Sequence, residues 1–321
     1  MERACGWIER VRGAAPAELV ALPGGAGARR YFRARFTDGS TAVLMHALRE
    51  DPAILPPALR AESVELPFVD VTEYLARRGV PVPEIYAVER KERWILLEDL
   101  GDVRLLDLPK DERRERMREA VELIARVHGF PHEDALPFRR SFDAEWVSFE
   151  LRTFAEHGLP ERFRAELAGE LDALARAVAA LPRGLALRDV QSQNLMVDPR
   201  GRLRVIDYQD ALLAPPELDL AALVYDSYLE IEGAERADLC ARYWRARGAS
   251  AEPVRFALLV VQRKCKDYGR YRFVVDKKGD LRYRPFIARA RAAVLEALPA
   301  LPPAQAGLAA LLRRAFAETP P

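Results

Sequence analysis

Residues 187–197 read LRDVQSQNLMV, and residues 205–210 read VIDYQD. In these stretches Asn194 follows Asp189 by five positions, and Asp207 follows Asn194 by thirteen. Short apolar runs flank a glycine between the two motifs, and this pattern is typical of two strands joined by a turn. The sequence therefore predicts a loop, a strand, a turn and a second strand that ends on a carboxylate.

The three polar side chains are of the types that phosphoryl transfer uses. One carboxylate accepts the proton of the attacking hydroxyl, while an amide oxygen and a second carboxylate hold Mg²⁺ against the phosphates. Alone, Asp189 and Asn194 could be ordinary loop residues and Asp207 a turn residue. The turn at Gly201 makes the pattern more specific, because it predicts that Asp207 returns beside Asn194.

The chain divides into two unlike parts near residue 100, well before this motif, and 321 residues are enough for two lobes. Residues 1–100 show mostly strands and turns, including an Asp-Gly hairpin signal at Asp38. The predicted strands are residues 31–36, 41–45, 85–88 and 94–98, and the predicted helix is residues 65–78.

Residues 101–321 show mainly helical periodicity. Helices are predicted at residues 111–128, 143–156 and 161–180, and again from 217 onward, with residues 185–210 as a β-loop insertion. The expected fold class is α+β, with a small β-rich N-terminal lobe and a larger, mostly helical C-terminal lobe.

The composition excludes several classes of protein. Lys plus Arg number 50 and Asp plus Glu number 49, so no global field indicates a nucleic-acid or membrane partner. No apolar run approaches the roughly 18 residues of a membrane helix, and the first ten residues lack a signal-peptide core. Three widely spaced cysteines fit a reducing compartment. We therefore expect a cytoplasmic protein. We also expect a monomer that acts on a small molecule.

Several motifs together resemble the aminoglycoside phosphotransferase/choline kinase superfamily, a branch of the protein-kinase-like fold. Within it, the chain looks most like the bacterial cell-wall-recycling kinases that phosphorylate the anomeric hydroxyl of N-acetylmuramate and N-acetylglucosamine. Besides the catalytic stretch, the motifs are RRYFR (29–33), DGS (38–40), GVPVPEI (79–85), LLEDLGD (96–102), IDYQDA (206–211), DLA (219–221) and VQRKCKDYG (261–269).

This resemblance implies a two-lobed protein-kinase-like fold that uses ATP and Mg²⁺. It implies that Asp189 is the catalytic base and that Asn194 and Asp207 are the Mg²⁺ ligands. It also implies that the Glu98 carbonyl and the Leu100 amide meet the adenine edge between the lobes.

A flexible loop over the phosphates is implied for Gly24, Gly25 and Gly27, because a backbone without Cβ approaches phosphate closely. Glycines also form ordinary turns, so this motif alone is weak evidence.

Two positions depart from the superfamily pattern. Leu187 stands where a histidine usually organises the catalytic loop, and Met45 stands near the place of the third-strand lysine. Another cation must then neutralise the α/β-phosphates, and Arg30 and Arg33 are the candidates. The alternative is that both arginines are exposed strand charges.

The segment 255–291 holds twelve Lys or Arg and three acids, which leaves a local net charge of +9. One interpretation is an electropositive wall for an anionic sugar substrate, with Arg263 and Lys266 in contact with it. The alternative is a solvated helix face that is balanced by acids elsewhere. Asp210 could contact substrate or brace the loop after Asp207.

Two further polar residues favour structural roles. His128 ends an apolar helical face and is interpreted as a core histidine. Asp219 opens a helical run after two prolines, and we expect it to brace a loop or the helix N-terminus.

The sequence leaves two other functions open. One is a kinase for another small alcohol, such as an aminoglycoside or an amino alcohol, although the basic segment disfavours cationic substrates. The other is a nucleotide-binding pseudokinase, which Leu187 and the missing lysine suggest and the intact acidic motif opposes.

Overall fold

The computed structural model describes residues 1–23, 28–52, 55–60 and 64–319 of the chain. A five-stranded antiparallel sheet lies in the first hundred residues, and helices dominate the remainder. The predicted α+β two-lobed class is confirmed. Within the described ranges, no helix combines the length and apolarity needed to cross a membrane.

The strands of the N-terminal sheet are β1 (Glu18–Ala21), β2 (Arg30–Arg35), β3 (Thr41–His46), β4 (Ile85–Glu89) and β5 (Trp94–Leu97). Their order is β1–β2–β3–β5–β4, and each neighbouring pair is antiparallel. The predicted β2–β3 hairpin is confirmed: Gly39 has φ of 83°, and Asp38 accepts the Ser40 amide at 2.9 Å.

Side chains alternate between the two faces of this sheet, so each face buries different partners. Leu44 packs with Trp7 and Ile8 of helix α1 (Glu2–Arg12) on the outer face. Met45 faces the opposite way, into the core shared with the helical lobe. Sequence analysis did not predict α1, because its apolar face is short and Gly6 interrupts it.

Two of the remaining helices lie between residues 57 and 77, where a helix was predicted at 65–78, and the others lie after residue 100 and confirm the mainly helical character predicted there. These helices are α2 (Pro57–Arg60), α3 (Pro67–Arg77), α4 (Lys110–Val127), α5 (Ala144–Thr153), α6 (Arg164–Ala179), α7 (Glu217–Val224), α8 (Gly233–Arg247), α9 (Pro253–Lys278), α10 (Arg284–Ala297) and α11 (Ala306–Ala317).

The predicted β-loop insertion between α6 and α7 is also confirmed. Gly201 has φ of 74° and forms the turn of the inner hairpin, as predicted. The four short strands are β6 (Gly184–Ala186), β7 (Leu195–Val197), β8 (Leu203–Val205) and β9 (Leu212–Ala214), of which β6 pairs with β9 and β7 pairs with β8.

Helix α9 is 26 residues long and crosses α5 at very close range. A Cβ on Gly269 would lie 2.4 Å from the Cα of Phe154, the first residue of a π-helical turn that continues α5. Only glycine permits this approach without a backbone shift. The crossing holds the C-terminal half of α5 against the middle of α9, where the charged residues of both helices meet.

Candidate active site

The β7–β8 hairpin places Asn194 beside Asp207. Leu195 pairs with Val205, and the Ile206 amide continues the ladder by donating to the Asn194 carbonyl at 3.0 Å. The following residue, Asp207, therefore emerges next to the Asn194 side chain, as the sequence predicted.

Asp189 joins this pair through the loop that precedes β7. Nδ2 of Asn194 donates to the backbone carbonyl of Asp189 at 2.9 Å. This bond occupies the amide nitrogen and leaves Oδ1 of Asn194 as the atom available for a metal ion. The Asp207 carboxylate is 44% exposed, so its oxygens are also accessible.

Two non-glycine residues at the site have a left-handed backbone, Arg188 with φ of 80° and Asp207 with φ of 61°. Such conformations cost roughly 1–3 kcal/mol each unless the surroundings enforce them. Asp219 holds Arg188 in this conformation, because its carboxylate accepts hydrogen bonds from the Leu187 and Arg188 amides, each at 2.7 Å. The expected loop-bracing role of Asp219 is confirmed.

His128 completes this brace from the end of α4. Its Nε2 lies 3.1 Å from Asp219 Oδ2, and its Nδ1 lies 2.9 Å from the Tyr243 hydroxyl. His128 is 4% exposed and Leu187 is 1% exposed. His128 is thus a core histidine, as interpreted. It also contacts Asp219, the residue that binds the backbone of the loop at Leu187.

The Asp189 carboxylate is held by cations from α9. Arg263 donates to Asp189 Oδ1 at 2.8 Å and to the Arg188 carbonyl at 2.9 Å, while Lys266 Nζ lies 3.9 Å from the same Oδ1. Burial would raise the pKa of Asp189, but the Lys266 and Arg263 charges outweigh burial and hold this pKa well below its usual range. Asp189 is therefore ionised at neutral pH.

Glu150 on α5 balances these cations, and sequence analysis missed it. Its carboxylate pairs with Arg188 at 2.7 Å and Lys266 at 3.2 Å, and it accepts from Gln262 at 2.9 Å. Burial opposes ionisation, yet the Lys266 and Arg188 cations lower the pKa of Glu150 to about 2. No local motif marks Glu150; the one sequence signal was the excess of base on α9, which needs an acid partner.

Six of the twelve cations in the basic segment pair with acids, as the balanced-charge interpretation expects, but Arg263 and Lys264 are buried rather than solvated. Arg263 is 2% exposed and acts on Asp189 rather than on the cleft surface. Lys266 differs, because 18% of its side chain remains exposed beside Asp189. Further pairs in the segment are Arg255–Glu217, Lys264–Asp267, Arg272–Asp276 and Arg282–Asp280.

Asp210 pairs with Arg188 at 3.5 Å and keeps 32% of its side chain exposed. Gln209 Nε2 lies 3.2 Å from Asp207 and 3.4 Å from Asp210, so it links the two acids. Partial burial and the Asp189 charge raise the pKa of Asp207, and Arg29 opposes that rise. Asp207 and Asp210 therefore place two partly exposed carboxylates side by side in the cleft.

The donor set fits a hard divalent cation. It consists of one accessible carboxylate, on Asp207, and one amide oxygen, on Asn194, and these are suitable ligands for Mg²⁺. In the described part of the chain, no group of three or more His, Cys, Asp or Glu is arranged to hold a metal. An ion here would need further oxygen ligands from phosphate or water.

The N-lobe arginines that were predicted as phosphate ligands have other contacts. Arg33 donates to Asp99 at 2.7 Å and to Asp102 at 2.9 Å, which ties β2 to the connector after β5. Arg30 donates to the backbone carbonyls of Ala28 and Arg29, the two residues that precede it. The structure places neither guanidinium on the acidic motif.

Arg29 is the arginine that reaches across the cleft, with Nη2 3.3 Å from Asp207 Oδ1. Sequence analysis quoted the RRYFR motif but selected its second and fifth residues rather than its first. The predicted phosphate loop of Gly24, Gly25 and Gly27 lies outside the described residues.

Glu98 and Leu100 lie on the connector between the lobes. The Glu98 carboxylate pairs with Arg204 of β8, and its amide donates to the Glu84 carbonyl at 2.9 Å. Arg204 also donates to the Val82 carbonyl at 2.7 Å. The Glu98 side chain thus joins the connector to the β7–β8 hairpin, while the adenine contacts of its carbonyl and of the Leu100 amide stay a prediction.

Comparisons with known proteins agree with this arrangement. A sequence profile of the phosphotransferase enzyme family (APH) matches residues 18–256. An N-acetylmuramate/N-acetylglucosamine kinase of Neisseria meningitidis serogroup B is 29% identical, over 88% of this chain and 86% of that kinase. The Pseudomonas aeruginosa kinase of the same name is 28% identical, over 84% and 80%. Choline kinase LicA of Streptococcus pneumoniae superposes with a TM-score of 0.66 at 15% identity, over 92% and 98%.

Proposed function

The chain belongs to the phosphotransferase enzyme family, and from that premise we propose that it is an ATP-dependent sugar kinase. It transfers the γ-phosphoryl group of ATP to the anomeric hydroxyl of N-acetylmuramate or N-acetylglucosamine. The observation that carries the proposal is the convergence of Asp189, Asn194 and Asp207 at one cleft. The two bacterial relatives of that name support the choice of sugar.

Asp189 acts on the acceptor hydroxyl. Because Arg263 holds Oδ1, Oδ2 is left to accept the hydroxyl hydrogen bond. The hydroxyl oxygen attacks the γ-phosphorus, its proton passes to Asp189, and the bond from that phosphorus to the ADP oxygen breaks. The low pKa makes Asp189 a weak base, so its main contribution is to orient the hydroxyl, as a loose transition state requires.

Asn194 and Asp207 would hold Mg²⁺, which supplies neutralisation of the phosphate charge when bound. The described donor oxygens suit that ion. The predicted contacts of the adenine with Glu98 and Leu100, and of the phosphates with the loop at Gly24, Gly25 and Gly27, belong to the same proposal.

Lys266 is the residue that favours an anionic acceptor. Its side chain is 18% exposed and its Nζ lies 3.9 Å from the catalytic carboxylate, where a lactyl carboxylate of N-acetylmuramate would find a cation. Asp210 borders the same region and would contact sugar hydroxyls. Arg263 was expected to contact substrate directly, but its burial leaves it acting through Asp189.

The enzyme is expected to work as a cytoplasmic monomer. Cys5, Cys240 and Cys265 are free thiols, which is typical of a reducing compartment. Light scattering coupled to gel filtration checks the monomer.

A panel assay tests the function. ATP consumption is measured with N-acetylmuramate, N-acetylglucosamine, choline and an aminoglycoside, and we expect turnover with the two acetylated sugars. Asp189→Asn should lower kcat by about 10²-fold or more, because it removes the carboxylate that orients the hydroxyl and accepts its proton, while ATP binding persists. ATP binding by the wild type without transfer to any acceptor would support the pseudokinase instead.

A further inference from the structure

β3 contains no lysine, and Met45 stands where the third-strand lysine is expected. Met45 is fully buried, opposite Tyr31 of β2 and Ile95 of β5. A lysine at this depth would be costly without a charged partner. The cation for the α/β-phosphates must therefore come from another element.

Arg29 is positioned for this role at the start of β2. Its side chain is 22% exposed and reaches Asp207 from the opposite lobe. The backbone just before it is anchored, because the Ala28 amide donates to Glu50 Oε1 at 2.7 Å. The backbone before Arg29 is thus held in place, and its side chain extends to Asp207, the candidate metal ligand.

The pair between Arg29 and Asp207 is weak enough to exchange. Both groups are partly solvated, and exposed ion pairs contribute little stability. A guanidinium binds phosphate oxygens through two parallel hydrogen bonds, and phosphate carries more charge than one carboxylate. Arg33, by contrast, already binds two carboxylates of the connector, so its release would cost more.

We propose that Arg29 is the phosphate-binding cation of this enzyme and takes the role of the missing third-strand lysine. Its guanidinium pairs with Asp207 at 3.3 Å, and in the proposal it moves to donate to the nucleotide phosphates when ATP binds. This inference rests on the proposed kinase function, because it requires that the cleft binds ATP.

Calorimetric titration of Arg29→Gln with MgATP and with adenosine tests the assignment. We expect the dissociation constant for MgATP to rise about 10- to 100-fold, as for loss of a charged hydrogen bond, and that for adenosine to stay unchanged. Arg29→Lys should recover part of the loss. Arg35→Gln is the matched control, because Arg35 at the far end of β2 pairs with exposed Glu18, and this variant should bind both ligands as the wild type does.

Three results would overturn the assignment. One is wild-type affinity of Arg29→Gln for MgATP, and another is an equal loss for adenosine, which would indicate a damaged fold. The third is a phosphate-dependent loss in Arg30→Gln with none in Arg29→Gln. Failure of the wild type to bind MgATP would instead reject the kinase function itself, so the two failures are distinguishable.

Discussion

Asp189 and Asp207 are eighteen residues apart in the chain and border the same cleft, yet their surroundings differ. Asp189 belongs to a buried network with Glu150, Arg188 and Arg263, in which each charge faces a fixed partner. Asp207 is 44% exposed and is met by Arg29 from the other lobe at 3.3 Å. In the proposed mechanism, the acceptor side at Asp189 is therefore organised before substrate binds, whereas the nucleotide side at Asp207 is completed by what binds there.

This contrast has a physical reason. A carboxylate that must orient one hydroxyl gains from rigid neighbours, since their reorganisation is then unnecessary during the reaction. A carboxylate that must hold a metal and phosphates needs an open coordination sphere. The variants below separate the two sides by their effect on stability.

Glu150→Gln should have the largest effect, because it removes the acid nearest to the Arg188 and Lys266 charges, at 2.7 and 3.2 Å. Breaking a buried ion network in this way costs about 3–5 kcal/mol. Urea unfolding measures the loss. Glu166→Gln is the matched control, since the Glu166 pair with Arg314 is about half exposed and should contribute under about 1 kcal/mol. Similar small losses in both variants would contradict the network.

Acid should remove the same stabilisation. The folded-state pKa of Glu150 is about 2 and that of Asp189 is also lowered, so both carboxyls release protons on folding. Their contribution is complete above about pH 5 and is lost as pH falls toward 2. The unfolding free energy of the wild type should therefore fall more steeply over this range than that of Glu150→Gln. Parallel pH curves would show that Glu150 is not ionised in the network.

Gly269→Ala should cost about 1–3 kcal/mol, because the new Cβ would overlap the Phe154 backbone and force α5 away from α9. The control is Gly169→Ala in α6, where an added Cβ meets nothing within 4 Å; alanine there should be neutral or stabilising by up to about 1 kcal/mol. Melting temperatures of the two variants decide this point, and equal shifts would argue against the close crossing.

Asp207→Asn should have the smallest effect on stability, under about 1 kcal/mol. The lost pair with Arg29 is exposed, and asparagine tolerates the left-handed backbone at this position. The variant should still lose MgATP-dependent activity. A loss as large as that of Glu150→Gln would remove the contrast between the two sides of the cleft.

The sequence predicted what short segments determine. Asp189, Asn194 and Asp207 lie within one loop and one hairpin, so spacing alone indicates that they converge. Glu150 is 38 residues before Arg188, and Asp219 is 31 residues after it; their contacts depend on how α5, α7 and α9 pack. Such pairings are set by tertiary structure and leave no local pattern.

The choice among the arginines near β2 shows the same limit at shorter range. Arg29 and Arg33 both approach the cleft side, but the connector acids Asp99 and Asp102 engage Arg33. Those acids are about 70 residues away, so the motif alone could not show which guanidinium remains for the cleft. The sequence shows that both residues are arginines, but it does not show which acids they bind.

The most direct test of the kinase account is the ³¹P NMR spectrum of the product formed from ATP and N-acetylmuramate. We predict a sugar phosphate whose phosphorus couples to the anomeric proton, formed at the rate of ATP consumption. Phosphate on another hydroxyl would contradict the proposed acceptor position, and the absence of any sugar phosphate would contradict the proposed function.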